Sequence, residues 1–350
     1  MANDAKDAVT LRDVARAAGV HPGTASRALN DSTRSLVRPE TVERVVAAAG
    51  TLGYRPNYLA RSFKTHQTRS VGVVIPDIAN PLFPPMVLGV EDRLTAEGYV
   101  TVLANTQNDA RRRERIFAEM LERHVDGLIV ATAQREDPAL VTLAHSGVAV
   151  VLVNRIVEDR SFSSASVDDA AGVRAVVNHL VGLGHERIAH VAGPQSMSTG
   201  YARRQGFLAS MRSAGRPVDP DLVVAADSFT IEEGERRAAS ILGRAALAPT
   251  AIVAGNDMLA LGCYSALEQA GLRCPEDVSV VGFNDMPFID RLNPPLTTVR
   301  IPHYELGAQA AQLLVDQLHQ PDVPLKVLLL VPSLVVRGST APARAPVQVG

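Results

Sequence analysis

Apolar and polar positions follow two rhythms along this chain, and the change falls near residue 70. Before it, apolar residues recur three and four apart, the spacing of one face of a helix. Leu11, Val14, Ala15 and Ala18 predict a first helix, with Thr10 as its cap and Asp13 in a capping-box position. Gly19 stops it, and Pro22 opens a second helix after the link Val20-His21. Ala25, Ala28 and Leu29 form the buried side of that helix, while Thr24, Ser26, Arg27 and Asn30 project outward. A third helix is expected from Pro39 to Leu52, with Val42, Val45, Val46, Ala49 and Leu52 on one face and Gly53 at its end.

Beyond the polar linker 64–70 the texture becomes short Val-rich runs: 71–76, 99–104, 126–131 and 148–153, then 187–192, 222–226, 251–254 and 278–283. Continuous apolar runs of this length predict parallel strands covered on both faces. Helical patterns fall between them, near 85–96, 110–123, 139–145, 172–183, 203–214, 231–242 and 258–270. Strand–helix alternation predicts a doubly wound α/β body, and its repetition predicts two lobes with a cleft between them. A last helix, 304–319, and the apolar run 327–336 complete the body. Residues 1–8 are expected to be a disordered lead, and the Ala/Pro/Arg-rich stretch from Thr340 a disordered tail.

Composition adds little to the fold but locates the charge. The net charge of -2 conceals a basic head: residues 1–69 carry 11 Lys and Arg against 6 Asp and Glu, and the remainder 24 against 31. A basic head on an acidic body suits contact with nucleic acid. The 46% hydrophobic content supports a packed core, which without Trp is mostly aliphatic. Cys263 and Cys274 have no metal-type spacing and fit a reducing cytoplasm. The opening MANDAKDAVT is polar, unlike a secretory leader, and no apolar run approaches the ~20 residues of a membrane span. No G-x-G-x-x-G follows the first strand, no P-loop occurs, and no nucleophile–base pair or cofactor motif stands out, which weighs against a nucleotide-dependent enzyme. The basic head and the missing leader weigh against a transporter's solute-binding protein. Arg111 to Arg115 reads as a solvated helix face, and His179, His185 and His190 share no metal-ligand pattern.

Helix, Gly-containing turn and short polar helix make a helix-turn-helix, whose second helix enters the major groove. The stretches VTLRDVARAAGVHPGTASRALN (9–30) and ETVERVVAAAGTLGYRPNYLARSF (40–63) resemble the LacI/GalR family of transcription regulators. The resemblance implies a small all-α helix-turn-helix domain (9–56), a hinge helix and linker (57–69), and a two-lobed α/β body (70–340) similar to the periplasmic sugar-binding protein fold. Its late segments are expected to cross back, giving a first lobe of about 70–167 and 299–331 and a second of about 168–298 and 332–340. It also implies a cytoplasmic protein, a repressor by the family's usual mode, acting as a homodimer or tetramer on double-stranded operator DNA under control of a small-molecule effector.

By family position Pro22, Gly23 and Arg27 face base edges. Only Arg27 is a strong reader, through bidentate pairing with guanine; Pro22 and Gly23 have no side-chain donor. Thr24, Ser26 and Asn30 are expected on phosphates, with Thr10 and Leu11 at the edge of the same surface. In the hinge, Asn57, Leu59, Ala60, Arg61 and Phe63 are expected in the minor groove, Phe63 as the wedge that kinks the duplex.

For the effector, residues just after strands are the candidates, because ligands of such folds sit at strand C-terminal ends. These are Asp77, Asn80, Asn154, Arg155, Asn256, Asp257, Asn284 and Asp285; Leu82, Phe83, Thr199, Arg203 and Phe229 join them by family position. Polar forks beside aromatic faces suit a hydroxylated ring such as a sugar. Asn284 stands where many members carry Asp, which disfavours a cationic ligand.

Overall fold

The computed structural model describes residues 9–30, 33–54, 67–216, 218–244, 248–320 and 322–343. The chain divides into two compact units, residues 1–68 and 69–350.

The described part of the first unit holds α1 (Leu11–Ala17), α2 (Pro22–Ala28) and α3 (Pro39–Leu52). The box at α1 is reciprocal: the Asp13 amide donates to Thr10 Oγ1, and the Thr10 amide to the Asp13 carboxylate at 3.0 Å. Gly19 (φ 63°) and Gly53 (φ 65°) end α1 and α3 in the left-handed conformation, which costs glycine nothing sterically. Val14, Ala15, Ala25, Ala28 and Val45 are sealed in a small core. Val46 and Leu52, expected inside, are 45% and 37% exposed, because the Val42–Val45–Ala49 stripe already fills it.

The second unit is built on two six-stranded sheets. In the first half run β1 (Ser70–Ile75), α4 (Phe83–Ala96), β2 (Val100–Asn105), α5 (Ala110–Glu122), β3 (Gly127–Val130), α6 (Pro138–His145), β4 (Ala149–Val153) and β5 (Ser163–Val167). The second half runs α7 (Asp169–Gly182), β6 (Ile188–Ala192), α8 (Ser198–Ser213), β7 (Val223–Ala225), α9 (Ile231–Leu242), β8 (Ala251–Ala254), α10 (Asp257–Gln269), β9 (Ser279–Asn284) and β10 (Thr297–Arg300). The chain closes with α11 (His303–His319), β11 (Val327–Leu330) and β12 (Ser333–Val335).

The sheet orders are β11-β5-β4-β3-β1-β2 and β12-β10-β9-β8-β6-β7. Every pairing is parallel except β10 with β12. The chain therefore passes between sheets three times: after Val167, after Arg300 and between β11 and β12. The second passage lies at Arg300 rather than at 299, since Val299 pairs with both Phe283 and Leu334 in the second sheet. Helix α11 packs on α4 so closely that a Cβ on Gly89 would run into the Tyr304 carbonyl, and one on Gly307 into that of Met86.

The run 327–336 is two strands in different sheets, split at Pro332, which can donate no backbone N–H, in line with the expected lobe boundary between 331 and 332. Two sequence expectations need correction. Arg113, in the stretch read as solvated, is buried and bidentate to Asp137 at 2.8 and 2.9 Å, because it shares the inner face of α5 with Phe117 and Met120. Residues 340–343, expected in a disordered tail, are bonded to the second lobe. The Ala341 carbonyl lies 3.0 Å from His185 Nε2, and the Ala343 amide donates to the Leu183 carbonyl at 2.8 Å.

Candidate functional site

Helix α2 presents one outward surface. His21 caps it, its Nδ1 accepting from the Gly23 amide at 3.1 Å. Gly23, Ser26 and Arg27 are exposed, and Pro22, Thr24 and Asn30 are half-buried. Arg27 Nε donates back to the Gly23 carbonyl at 3.2 Å, which lays the side chain along the helix. Thr33 Oγ1 and Arg34 Nε donate to the carbonyls of Arg27 and Ala28, satisfying the last turn. Thr10 is exposed and engaged in its capping box, and Leu11 is half-buried and packs on the core. Asn57, Leu59, Ala60, Arg61 and Phe63 lie outside the described residues.

In the second unit, polar groups converge where the strands of both sheets end. Arg203 is 3% exposed, and its Nε donates to Asp169 at 2.7 Å while Nη1 donates to the Gly255 carbonyl at 2.7 Å. The guanidinium lies 3.8 Å from the Phe283 ring centroid. Burial pushes the Asp169 carboxyl above its ordinary range, against the pull of the Arg203 charge.

Arg155, just past β4, is a contrasting case. It is 7% exposed, its Nε is sealed from solvent, and no protein group among the described residues bonds its guanidinium. Burial, then Arg203 and Arg113 nearby, lowers its pKa to about 10, so it stays charged at neutral pH. Four more buried polar atoms lack a protein partner among the described residues at strand ends or just beyond: Thr132 Oγ1, Ser166 Oγ, Asn284 Oδ1 and His303 Nε2. Burial, with Arg203 second, holds His303 down near a pKa of about 4. Neutral imidazole, hydroxyl, amide and guanidinium together offer donors and acceptors of the kind that fix a hydroxylated ligand.

At the rim, backbone and side chains bridge the two lobes. The Arg135 amide donates to the Ser196 carbonyl at 2.9 Å, and the Ile156 amide to Ser198 Oγ at 3.0 Å. Arg135 also holds Glu158 and stacks 3.7 Å over Tyr201. A cavity of about 310 Å³ bordered by Arg135, Asp137, Val141 and Phe162 lies outside the strand-end cluster.

Residues 10–57 match the model of the lacI family of bacterial regulatory proteins, and residues 177–340 that of a periplasmic binding protein-like domain. The HTH-type transcriptional repressor CytR of Escherichia coli (strain K12) is 31% identical over 333 residues, covering 95% of this chain and 96% of its own. The chain belongs to the lacI family. Among solved structures, the Lac repressor dimer bound to operator and the anti-inducer ONPF is 29% identical, with a TM-score of 0.84 over 96% of this chain and all of that one. The complex of the transcriptional regulator CelR with cellobiose is 34% identical, with a TM-score of 0.73 over 95% of this chain and 99% of that one.

Within this lacI-family body the anticipated residues divide sharply. Asn154 (φ 65°) is buried beside Arg155 at the end of β4. Asn256 is the cap of α10, its Oδ1 accepting from the Leu259 amide at 2.9 Å. Asp257 is completely buried and committed, accepting from Thr298 Oγ1 at 2.6 Å and the Met286 amide at 2.8 Å. Burial pushes its carboxyl up to about 6. It thus acts as a strut between β10 and the turn after β9. Asp285 likewise pairs with Arg300 and Arg337. Asp77 and Asn80 turn inward on their own loop, accepting from the Ala79 and Leu82 amides. Leu82 and Phe83 lie in the main core, Thr199 is buried in α8, and the Phe229 ring fills the space a Cβ on Gly193 would need. Arg203 sits in the second turn of α8, which starts at Ser198 rather than 203.

Thr132, Ser166, Asp169 and His303 were missed. Thr132 and His303 follow strands by two or three residues, and that position was the available signal; β5, which places Ser166 and Asp169, has no apolar run to reveal it.

Proposed function

We propose that this protein is a transcriptional repressor whose α2 surface reads operator DNA and whose inter-lobe cleft binds a small hydroxylated effector, a sugar or related metabolite. The observation that carries the reading is the pairing, in one lacI-family chain, of an exposed Gly23–Ser26–Arg27 face with a body whose strand ends leave buried polar groups unpartnered. Arg27 reads a guanine in each half-site, and Ser26, Thr24 and Asn30 hold phosphates. Two copies act together as a homodimer, because one small head makes too few contacts for specific affinity. Phe63 is assigned the minor-groove wedge by sequence position.

The cleft assignment rests on Arg155, Asn154, Arg203, Asn284 and His303. A ligand changes operator affinity only through its differential affinity for two lobe arrangements. The contacts of Arg135 and Ile156 across the rim are those that a change in lobe angle must remake. The relatives fit this reading: one structure holds operator and an anti-inducer, another cellobiose. No helix among the described residues is long and apolar enough to cross a membrane, and we place the protein in the cytoplasm.

The test is selection of bound duplexes from a random pool, followed by titration at about 0.15 M salt, where non-specific phosphate contacts weaken. A pseudo-palindromic consensus is expected. Binding without sequence preference would remove the regulatory reading.

A further inference from the structure

One buried guanidinium at the cleft has no carboxylate in contact among the described residues. Three buried guanidiniums lie near one another there: Arg113, Arg155 and Arg203. Asp137 pairs with Arg113 at 2.8 and 2.9 Å, and Asp169 with Arg203 at 2.7 Å. The other carboxylates at these strand ends are engaged away from Arg155: Asp257 accepts from Thr298 and Met286, Asp285 from Arg300 and Arg337, Asp77 from the Ala79 amide and Asp168 from the Ala171 amide. Arg155 has no counter-ion among the described residues, and the charged groups that act on it, Arg203 and Arg113, are of like sign. Buried charges in folded proteins are paired, because removing an ion from water costs several kcal/mol unless another charge compensates. At position 284, on the facing sheet, an amide adds no negative charge.

We propose that the effector carries an anionic oxygen group, a carboxylate or a phosphate, which enters the cleft as the counter-ion of Arg155. The rest of the molecule is polyhydroxylated, to satisfy Asn284 Oδ1, Ser166 Oγ and Thr132 Oγ1. The effector is accordingly a sugar acid or sugar phosphate and not a neutral sugar. Arg155 suits this task because its planar fork matches both anions with two parallel bonds. The inference rests on the effector-cleft reading above and narrows its ligand class.

The experiment uses the full-length protein and matched probe pairs: glucuronate against glucose, gluconate against glucitol, and ribose 5-phosphate against ribose. Calorimetric titration gives affinity, and thermal melting gives stability, for wild type and Arg155→Gln. An acidic probe is expected to bind about 10- to 100-fold tighter than its neutral partner, as a charge-assisted bond provides. Arg155→Gln is expected to erase that preference. Which pair responds separates carboxylate from phosphate. A neutral probe binding as tightly as its acidic partner overturns the anionic ligand while leaving the cleft in place, as does a preference that survives in Arg155→Gln.

If no probe binds, the ligand-free melting points decide. An uncompensated buried cation burdens the empty protein, so Arg155→Gln must melt higher than wild type. A lower melting point shows that the protein itself satisfies Arg155, and the proposal fails. The cleft reading is separately at risk only if no small molecule of any charge alters operator affinity.

Discussion

Replacing Arg203 by alanine removes a cation from a nearly closed environment, its side chain being 4% exposed and that of its partner Asp169 10%. The largest consequence is an unpaired carboxylate. Breaking a buried pair from one side costs about 3–5 kcal/mol, mostly the desolvation of the charge left behind. The Gly255 carbonyl also loses a charged donor, and the Phe283 face a cation worth up to ~2 kcal/mol when desolvated. These terms share one side chain and do not add fully, so a net loss of about 4 kcal/mol is expected.

The pH dependence separates this from simple loss of packing. Burial already raises the Asp169 pKa, and Arg203 is the group pulling it down. Without Arg203 the folded-state pKa rises further above the unfolded one. The folded variant then binds a proton that the unfolded chain has released, and its stability falls as pH rises through that window. The deficit relative to wild type should therefore be smaller at pH 5 than at pH 8. Adding Asp169→Asn should recover part of it at pH 8. Urea unfolding followed by circular dichroism is the assay, since the chain has no Trp. A deficit below about 1 kcal/mol, or one of equal size at both pH values, would refute the buried-pair argument. Loss of effector response in Arg203→Ala is consequently informative only beside this measurement, with Arg203→Lys, which keeps the charge, as its companion.

Arg27→Ala should weaken operator binding by about 1–3 kcal/mol and relax base choice at one position per half-site, read by titrating point-substituted duplexes. Asn256→Ala should lower stability by about 1 kcal/mol through loss of the α10 cap, visible as a shifted urea midpoint with unchanged slope. His190 stacks on Phe207 and is held by burial near a pKa of about 4; above 6.5 it is neutral folded or unfolded, and between 6.5 and 4 only the unfolded chain gains the proton. Stability should thus decline as pH falls through that range, less steeply in His190→Gln. Asp257 works in the opposite sense, its raised pKa making stability decline as pH rises from about 4 to 6, a slope that Asp257→Asn should remove.

The strands found by sequence are those whose residues are aliphatic on both faces, such as β1 and β8, where burial and hydropathy coincide. Strand β5 (SSASV) is equally buried but built of small polar residues, so no apolar run marks it. Its Ser163 hydroxyl is absorbed by Gln317 and the Lys326 amide, partners more than 150 residues away. The TTVR of β10 is hidden for the same reason. In the site, residue types at strand ends marked the right neighbourhood but not their use. Asn256 caps a helix, Asp257 braces a turn and Arg155 is left unpaired, although all three read alike as polar residues after a strand. That distinction depends on which distant group arrives beside each, and Asp169 reaches Arg203 from the first residue of α7, three residues before the expected helix start and directly after a strand that was not legible.

The pairing of β5 with β11 also constrains how the molecule comes into being. About 160 residues separate these neighbours, an interval of roughly 10–30 s at ribosomal speeds. Throughout it the growing chain carries an open strand edge on β5, and the hydrophobic surfaces awaiting α11 are uncovered. Such an edge is a template for pairing with another unfinished chain. The three-helix head needs only residues 11–54 for its own core and so matures first. A chain interrupted anywhere between residues 170 and 326 would then carry a folded DNA-reading surface attached to an unfinished first sheet, a recognition element with no means of being switched off.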